Sequence, residues 1–155
     1  MALSPRAASE GFAERTRKNL LYVDEAFQAG ADVHVITQLV NSLLGLVVFP
    51  WEKSVVERFR HIPLATLKEK GWPEWQLTTG QCSTLGQLIR CLRNGTSHGH
   101  IQFSSDSRLL NEVTIEVSNY PKWCAPDPDF EGSIRADELR DFCLKLTELV
   151  YNMVS

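Results

Sequence analysis

Apolar residues recur with a helical period in several stretches of this chain. Over residues 9–29, Phe12, Thr16, Leu20, Val23 and Phe27 fall on one helix face. Ser9 stands where a cap would start that helix and Gly30 where one would end it. Asp32 can cap a second helix over 33–49, which Pro50 would stop. That helix carries Val33, Ile36, Leu39, Val40, Leu43, Leu44, Leu46 and Val47, apolar almost all round, so it is expected to be the most buried element. Gln38, Asn41 and Gly45 share one line on it, a face that can meet a partner or a site. Residues 51–71 read as one or two short helices broken at Pro63 and ended at Gly71, and residues 71–80 as a loop. A third long helix begins near Ser83 or Thr84, with Leu85, Leu88, Ile89 and Leu92 as its stripe and Asn94-Gly95 as its end or a break in it.

The period then changes from helical to alternating. Ile101 and Phe103, and later Val113, Ile115 and Val117, alternate with polar residues and predict a β-hairpin over about residues 100–119. Residues 120–132 hold Pro121, Pro126, Pro128 and Gly132 and read as a loop, with Trp123 to pin it. A last helix over 134–153 carries Leu139, Phe142, Cys143, Leu146, Leu149, Val150 and Met153. The expected fold is mainly α: a four- to five-helix bundle with a small β-hairpin inserted before the C-terminal helix. One domain over 1–155 is expected, with 1–8 as a flexible N-terminus.

Composition narrows the class. Hydrophobic residues make up 43% and charged residues 23%, which suits a folded globular chain and argues against disorder. No run approaches the roughly 18 apolar residues that span a bilayer, and the N-terminus lacks an apolar leader core, so a cytoplasmic protein without a membrane partner is expected. The four cysteines, Cys82, Cys91, Cys124 and Cys143, form no C-x-x-C pair and are expected to be free thiols. A zinc site from Cys82, Cys91 and His98 or His100 would match no common zinc spacing, so no metal and no cofactor is expected. The net charge of −3 gives no general reason to expect nucleic acid. Its distribution says more: residues 76–111 hold three arginines, Arg90, Arg93 and Arg108, against one aspartate, whereas residues 112–141 hold three basic groups against eight acidic ones. A local basic patch can steer an anion.

Candidate chemistry is concentrated in Arg90-Cys91-Leu92-Arg93-Asn94-Gly95-Thr96-Ser97-His98-Gly99-His100. Here an amphipathic pattern stops abruptly in favour of arginines, an amide, hydroxyls and imidazoles, a kind of departure that marks sites. Two local conformations gather these groups. If the helix runs through Gly95, Asn94 and His98 stand at i, i+4 on one face with Arg93 beside them. If it ends at Gly95, Thr96 or Ser97 can cap a new turn whose N–H groups favour an anion. Either way an imidazole, a guanidinium and an amide can surround a phosphate. Histidine, with an ordinary pKa of about 6.5, can accept or donate a proton at neutral pH. Arginine offers a fixed fork of donors to phosphoryl oxygens. These groups suit RNA cleavage by attack of the 2′-hydroxyl on the adjacent phosphorus.

Arg93-Asn94-Gly95-Thr96-Ser97-His98 resembles the defining motif of the HEPN superfamily: arginine, a polar residue, then histidine after a gap of four to six residues. His100 also satisfies the longest gap, so either histidine fits. The helix from Thr37 to Glu52 resembles the second helix of a bacterial, often plasmid-encoded branch, and Leu92-Arg93-Asn94 followed by a hairpin and a C-terminal helix continues the likeness. The resemblance implies a helical bundle, a homodimer with two motifs facing across a composite cleft, and RNA as substrate. It also implies cleavage without a metal to leave a 2′,3′-cyclic phosphate, a place in toxin–antitoxin or antiviral defence, and an antitoxin partner. Carried to this chain, Arg93 would stabilise phosphate charge, His98 would transfer protons and Asn94 would orient. Arg90, Ser97 and His100 are expected to bind substrate. Some members are silent binding modules, and that alternative stands beside the nuclease.

Each residue also has a plainer reading. His98 can be a surface or capping histidine, Arg93 a helix-terminus contact, His100 a structural start to the hairpin, and Arg90 part of a solvated face. Gln38 and Asn41 can be core or dimer-contact groups, and Trp51, Trp72, Trp75 and Trp123 can pack rather than stack on bases. His34 and His61 are read as structural.

Overall fold

The computed structural model describes residues 2–52 and 55–152. Ser4 begins the first helix, α1 (Pro5–Gln28): its hydroxyl accepts the N–H of Ala7, and Pro5 takes the first helical position, where a missing N–H costs nothing. The helix thus starts a turn before Ser9, the expected cap, which is buried in its second turn. Gly30, at φ 87°, ends it as expected. Helix α2 (Val35–Glu52) starts two residues later than the pattern predicts. Asp32 does not cap it. Its carboxylate accepts from Arg108 at 2.6 Å, tying the α1–α2 connection to a distant loop. Pro50 does not stop α2 but lies inside its last turn, where it only deprives the carbonyl of Leu46 of a donor.

A 3₁₀ turn (Val55–Arg58) and helix α3 (Leu64–Glu69, started by Pro63) follow, and Gly71 at φ 79° closes the segment. These match the one or two short helices expected. Helix α4 (Leu85–Ser97) opens with a capping box, Thr84 accepting from the Gln87 N–H while the Gln87 side chain accepts from the Thr84 N–H. Helix α5 (Ala136–Asn152) buries Leu139, Phe142, Cys143, Leu146 and Val150, the stripe read from the sequence; Met153 lies outside the described residues.

The expected hairpin is present as β2 (Ile101–Phe103) paired with β3 (Thr114–Asn119), Ile101 opposite Val117. It is half of a larger element. Strands β1 (Gln76–Thr79) and β4 (Phe130–Arg135) complete a four-stranded antiparallel sheet in the order β1-β4-β3-β2. Both extra strands fall where the sequence reads as loop. The first is four residues long and, as an edge strand, half-buries only Leu77 and Thr79. The second hides its alternation, because Gly132 fills an inward position between Phe130 and Ile134. The same strand occupies residues 134 and 135, so α5 begins two residues later than expected.

Leu39, Leu43, Leu46 and Val47 of α2 are fully buried between α1, α4 and α5. Val113, just before β3, and the inward residues Ile115 and Val117 of β3 join the same core. An ion pair of Arg140 and Asp24 holds α5 to α1 at its edge. The line Gln38, Asn41, Gly45 divides. Gly45 abuts Phe12 of α1, where a β-carbon would lie 2.5 Å from the ring, and Gln38 bonds to Ser42 on its own helix.

Candidate active site

Of the two conformations open to the arginine-histidine segment, the continuous helix is the one formed. Helix α4 runs through Gly95 to Ser97. Only glycine fits at 95, because α4 lies directly on β3: a β-carbon there would meet the Ser118 carbonyl oxygen at 2.5 Å and the Val117 side chain at 2.6 Å. The helix stops at a second glycine. Gly99 takes φ 73°, its N–H donates to the Thr96 carbonyl at 3.1 Å, and the His100 N–H donates to the Gly95 carbonyl at 2.9 Å. This Schellman stop fixes His98 at the C-cap and throws His100 across the end of the helix onto the sheet. The His100 carbonyl then accepts the Ser118 N–H at 3.0 Å, in register with β2–β3. Thr96 is buried and bonds the Leu92 carbonyl at 2.6 Å, so it supports the turn rather than facing solvent.

Those backbone bonds consume the N–H groups that a fresh helix start would have offered an anion. What faces solvent is the carbonyl end of α4, which disfavours negative charge. Binding a phosphate here therefore falls to side chains. Arg93 is half-buried; its guanidinium donates to the Asn94 amide oxygen at 3.2 Å and lies 5.4 Å from the ring centroid of Trp51, at the end of α2. His98 is exposed, and its ring stands edge-on to His100 at 6.0 Å between centroids. His100 in turn stands edge-on to Tyr120 at 4.9 Å. Arg90, one turn before Asn94 on the same side of α4, and Ser97 are both exposed.

Arg93, Asn94, His98 and His100 thus lie in one stretch at the end of α4, Arg93 turned to Asn94 and Trp51 and His98 to His100, with Arg90 and Ser97 along the same helix. Arg108 does not share the patch expected from local charge counting. It pairs with Asp32 and stands 3.3 Å from the ring nitrogen of His34. Two residues enter that the sequence reading did not place here. Trp51 is read from the sequence only as a tryptophan that can pack or stack on bases, with nothing to link it to Arg93. Tyr120 carries no signal in the sequence, and the β2–β3 register that sets His100 opposite Ser118 brings it there. Trp123 does not pin its loop, being 95% exposed. Trp72 and Trp75 do pack, both edge-on to Phe142, beside an apolar cavity of about 340 Å³ that contains none of the expected site residues.

Cys82 and Cys91 are in contact beneath the exposed face of α4. The thiol of Cys82 hydrogen-bonds that of Cys91, which lowers the Cys91 pKa against the opposing effect of burial and raises that of Cys82.

The mainly α architecture, five helices with a small antiparallel sheet among the described residues, is compatible with a HEPN-like bundle. The family described as HEPN pEK499 p136 matches residues 4–155, and the chain belongs to it. No curated protein and no solved structure matches the chain. No described helix is long and apolar enough to cross a membrane.

Proposed function

We propose that this protein is a metal-independent endoribonuclease that acts as a homodimer. The observation that carries the reading is the placement of Arg93, Asn94 and His98 at the end of α4, the first two half-buried and His98 exposed, with the guanidinium propped over Trp51 and a second imidazole 6.0 Å from the first. In the reaction, the 2′-oxygen forms a bond to phosphorus and the bond from phosphorus to the 5′-oxygen breaks. A histidine takes the proton from the 2′-hydroxyl, and an acid on the other side of the cleft gives one to the departing 5′-oxygen. Arg93 stabilises the charge on the phosphoryl oxygens. Asn94 holds the guanidinium through its amide oxygen. Arg90, Ser97 and His100 bind the flanking backbone.

The dimer is supported by the outer face of α2. Val40, Leu44 and Val48 follow one another up that face, incompletely buried, and lead to Trp51 under Arg93. A second copy seated on this stripe would bring two arginine-histidine sets side by side. The role is that of a toxin or antiviral effector, restrained by an antitoxin, in the cytoplasm.

The net charge of −3 and the diversion of Arg108 to Asp32 favour a second reading, a silent binding module. Purified protein and its His98→Ala variant, incubated with total RNA in excess EDTA, separate the two. Cyclic-phosphate ends produced by the wild type, and reduced about 10²–10⁴-fold in the variant, establish the nuclease. Intact RNA with both folded proteins establishes the silent module.

A further inference from the structure

The loop that follows β3 reads Tyr120-Pro121-Lys122-Trp123-Cys124. Tyr120 stands edge-on to His100, and His100 to His98, so the loop leaves the sheet beside the arginine-histidine turn. Three residues on, Trp123 is 95% exposed, the most exposed of the large hydrophobic side chains among the described residues. Burying an indole is among the largest apolar gains a side chain can make, and this chain buries or half-buries its other three. The exposed Trp123 therefore forgoes a gain that folding offers, and its neighbours do not make up a protein-binding patch. Pro121, Lys122, Cys124 and Pro126 around it are all exposed, and one indole among them presents an apolar face about the size of one base rather than the roughly 800 Å² that a stable protein contact takes from each partner. Lys122 adds a cation between the two aromatic residues. Of the acids further along the loop, Asp129 is held by the Asn119 amide at 2.9 Å.

Aromatic side chains interleaved with a cation are what grips unpaired nucleotides, bases stacking on the rings while the cation follows the backbone. We infer that Tyr120, Lys122 and Trp123 form a nucleobase platform that holds the unpaired base flanking the phosphate bound at Arg93 and His98. The inference rests on the ribonuclease reading and adds to it the residues that seat the strand. Trp123 makes no contact with the reacting atoms; it is a positioning residue, and its loss weakens binding rather than chemistry.

The test uses the full chain carrying His98→Ala, titrated with a fluorescein-labelled single-stranded 12-nucleotide oligouridine and with the same strand in a duplex with oligoadenine. Adding Trp123→Ala is expected to weaken single-strand binding by about tenfold and to leave duplex binding unchanged. Trp123→Phe restores most of the loss, because a phenyl ring still stacks. In the His98 background of the native sequence, Trp123→Ala raises KM and spares kcat. Equal affinity with and without Trp123, or no binding of either strand, overturns the platform. So does a change of oligomeric state in Trp123→Ala on size exclusion, which would assign the indole to a second copy. Wild-type cleavage that persists beside such a result leaves the nuclease standing without the platform; absence of both cleavage and binding removes the two together.

Discussion

The backbone of α4 at Gly95 lies against the Ser118 carbonyl of β3, so closely that a β-carbon would stand 2.5 Å from the oxygen. With no side chain on the helix at that point, α4 rests directly on the backbone of β3 and on the Val117 side chain, and the turn bearing Arg93 and His98 is positioned by it. Gly95→Ala must push α4 off the sheet. It is expected to cost about 1–3 kcal/mol, as overpacking does, read as a lowered denaturation midpoint, and to reduce RNA cleavage further than that stability loss alone explains. Unchanged stability would mean that the helix has room to move.

Gly99 makes a different demand. Its φ of 73° is a backbone state that costs an ordinary residue about 1–2 kcal/mol. Gly99→Asn is expected to be tolerated in both stability and cleavage, since asparagine adopts this state readily. Gly99→Val is expected to unwind the stop, separate His98 from His100 and lower activity. Equal behaviour of the two variants would sink the account.

Much of this was legible in the sequence, and the failures have specific causes. The stripes of α1, α4 and α5 are long and periodic, and each became a helix with most of its stripe turned inward, whereas α2, expected to be buried almost all round, leaves Leu44 exposed. Pro50 misled because a proline in the last turn removes only one bond. Asp32 and Ser9 misled because a capping side chain is recognised only by which N–H it meets. Strands β1 and β4 were invisible, since four residues hold too little alternation and Gly132 conceals it. At the candidate site the cluster itself was legible. Which glycine ends the helix was not, because Gly95 and Gly99 differ only in what lies above them. Trp51 and Tyr120 arrive from other elements, and no local pattern links them to Arg93 or His100.

Trp51 holds the guanidinium of Arg93 over its ring at 5.4 Å. Replacing it by leucine keeps apolar volume and removes the ring's attraction, worth about 0.5–2 kcal/mol. Cleavage by Trp51→Leu is expected to fall several-fold. Arg93→Lys, which keeps the charge but not the planar fork, is expected to fall about 10²-fold or more. Single-turnover rates on one RNA measure both.

Leu44 lies at the centre of the outer stripe of α2 and is 36% exposed. Leu44→Glu places a charge on the proposed dimer face while leaving the fully buried residues of that helix untouched. The expected result is a monomer by light scattering, with folded circular dichroism and little cleavage. A dimer that survives the substitution moves the interface elsewhere.

The Cys82–Cys91 contact has a titration signature. The hydrogen bond from Cys82 lowers the Cys91 pKa, so its thiolate forms at lower pH than an ordinary thiol's. Alkylation of Cys91, followed by peptide mass spectrometry across pH, is expected to rise at lower pH in the native chain than in Cys82→Ala. Coincident profiles would show that the bond does not hold in solution.

The order of the sheet also sets a schedule. Strand β1 precedes α4 in the chain but pairs with β4, and α4 rests on β3, so both supports of the arginine-histidine turn are made after it. At about 5–20 residues per second, the histidines leave the ribosome seconds before the strands that hold them. The growing chain carries Arg93 and His98 through that interval without the sheet that orders them, and they take up their arrangement only once β3 and β4 have been made.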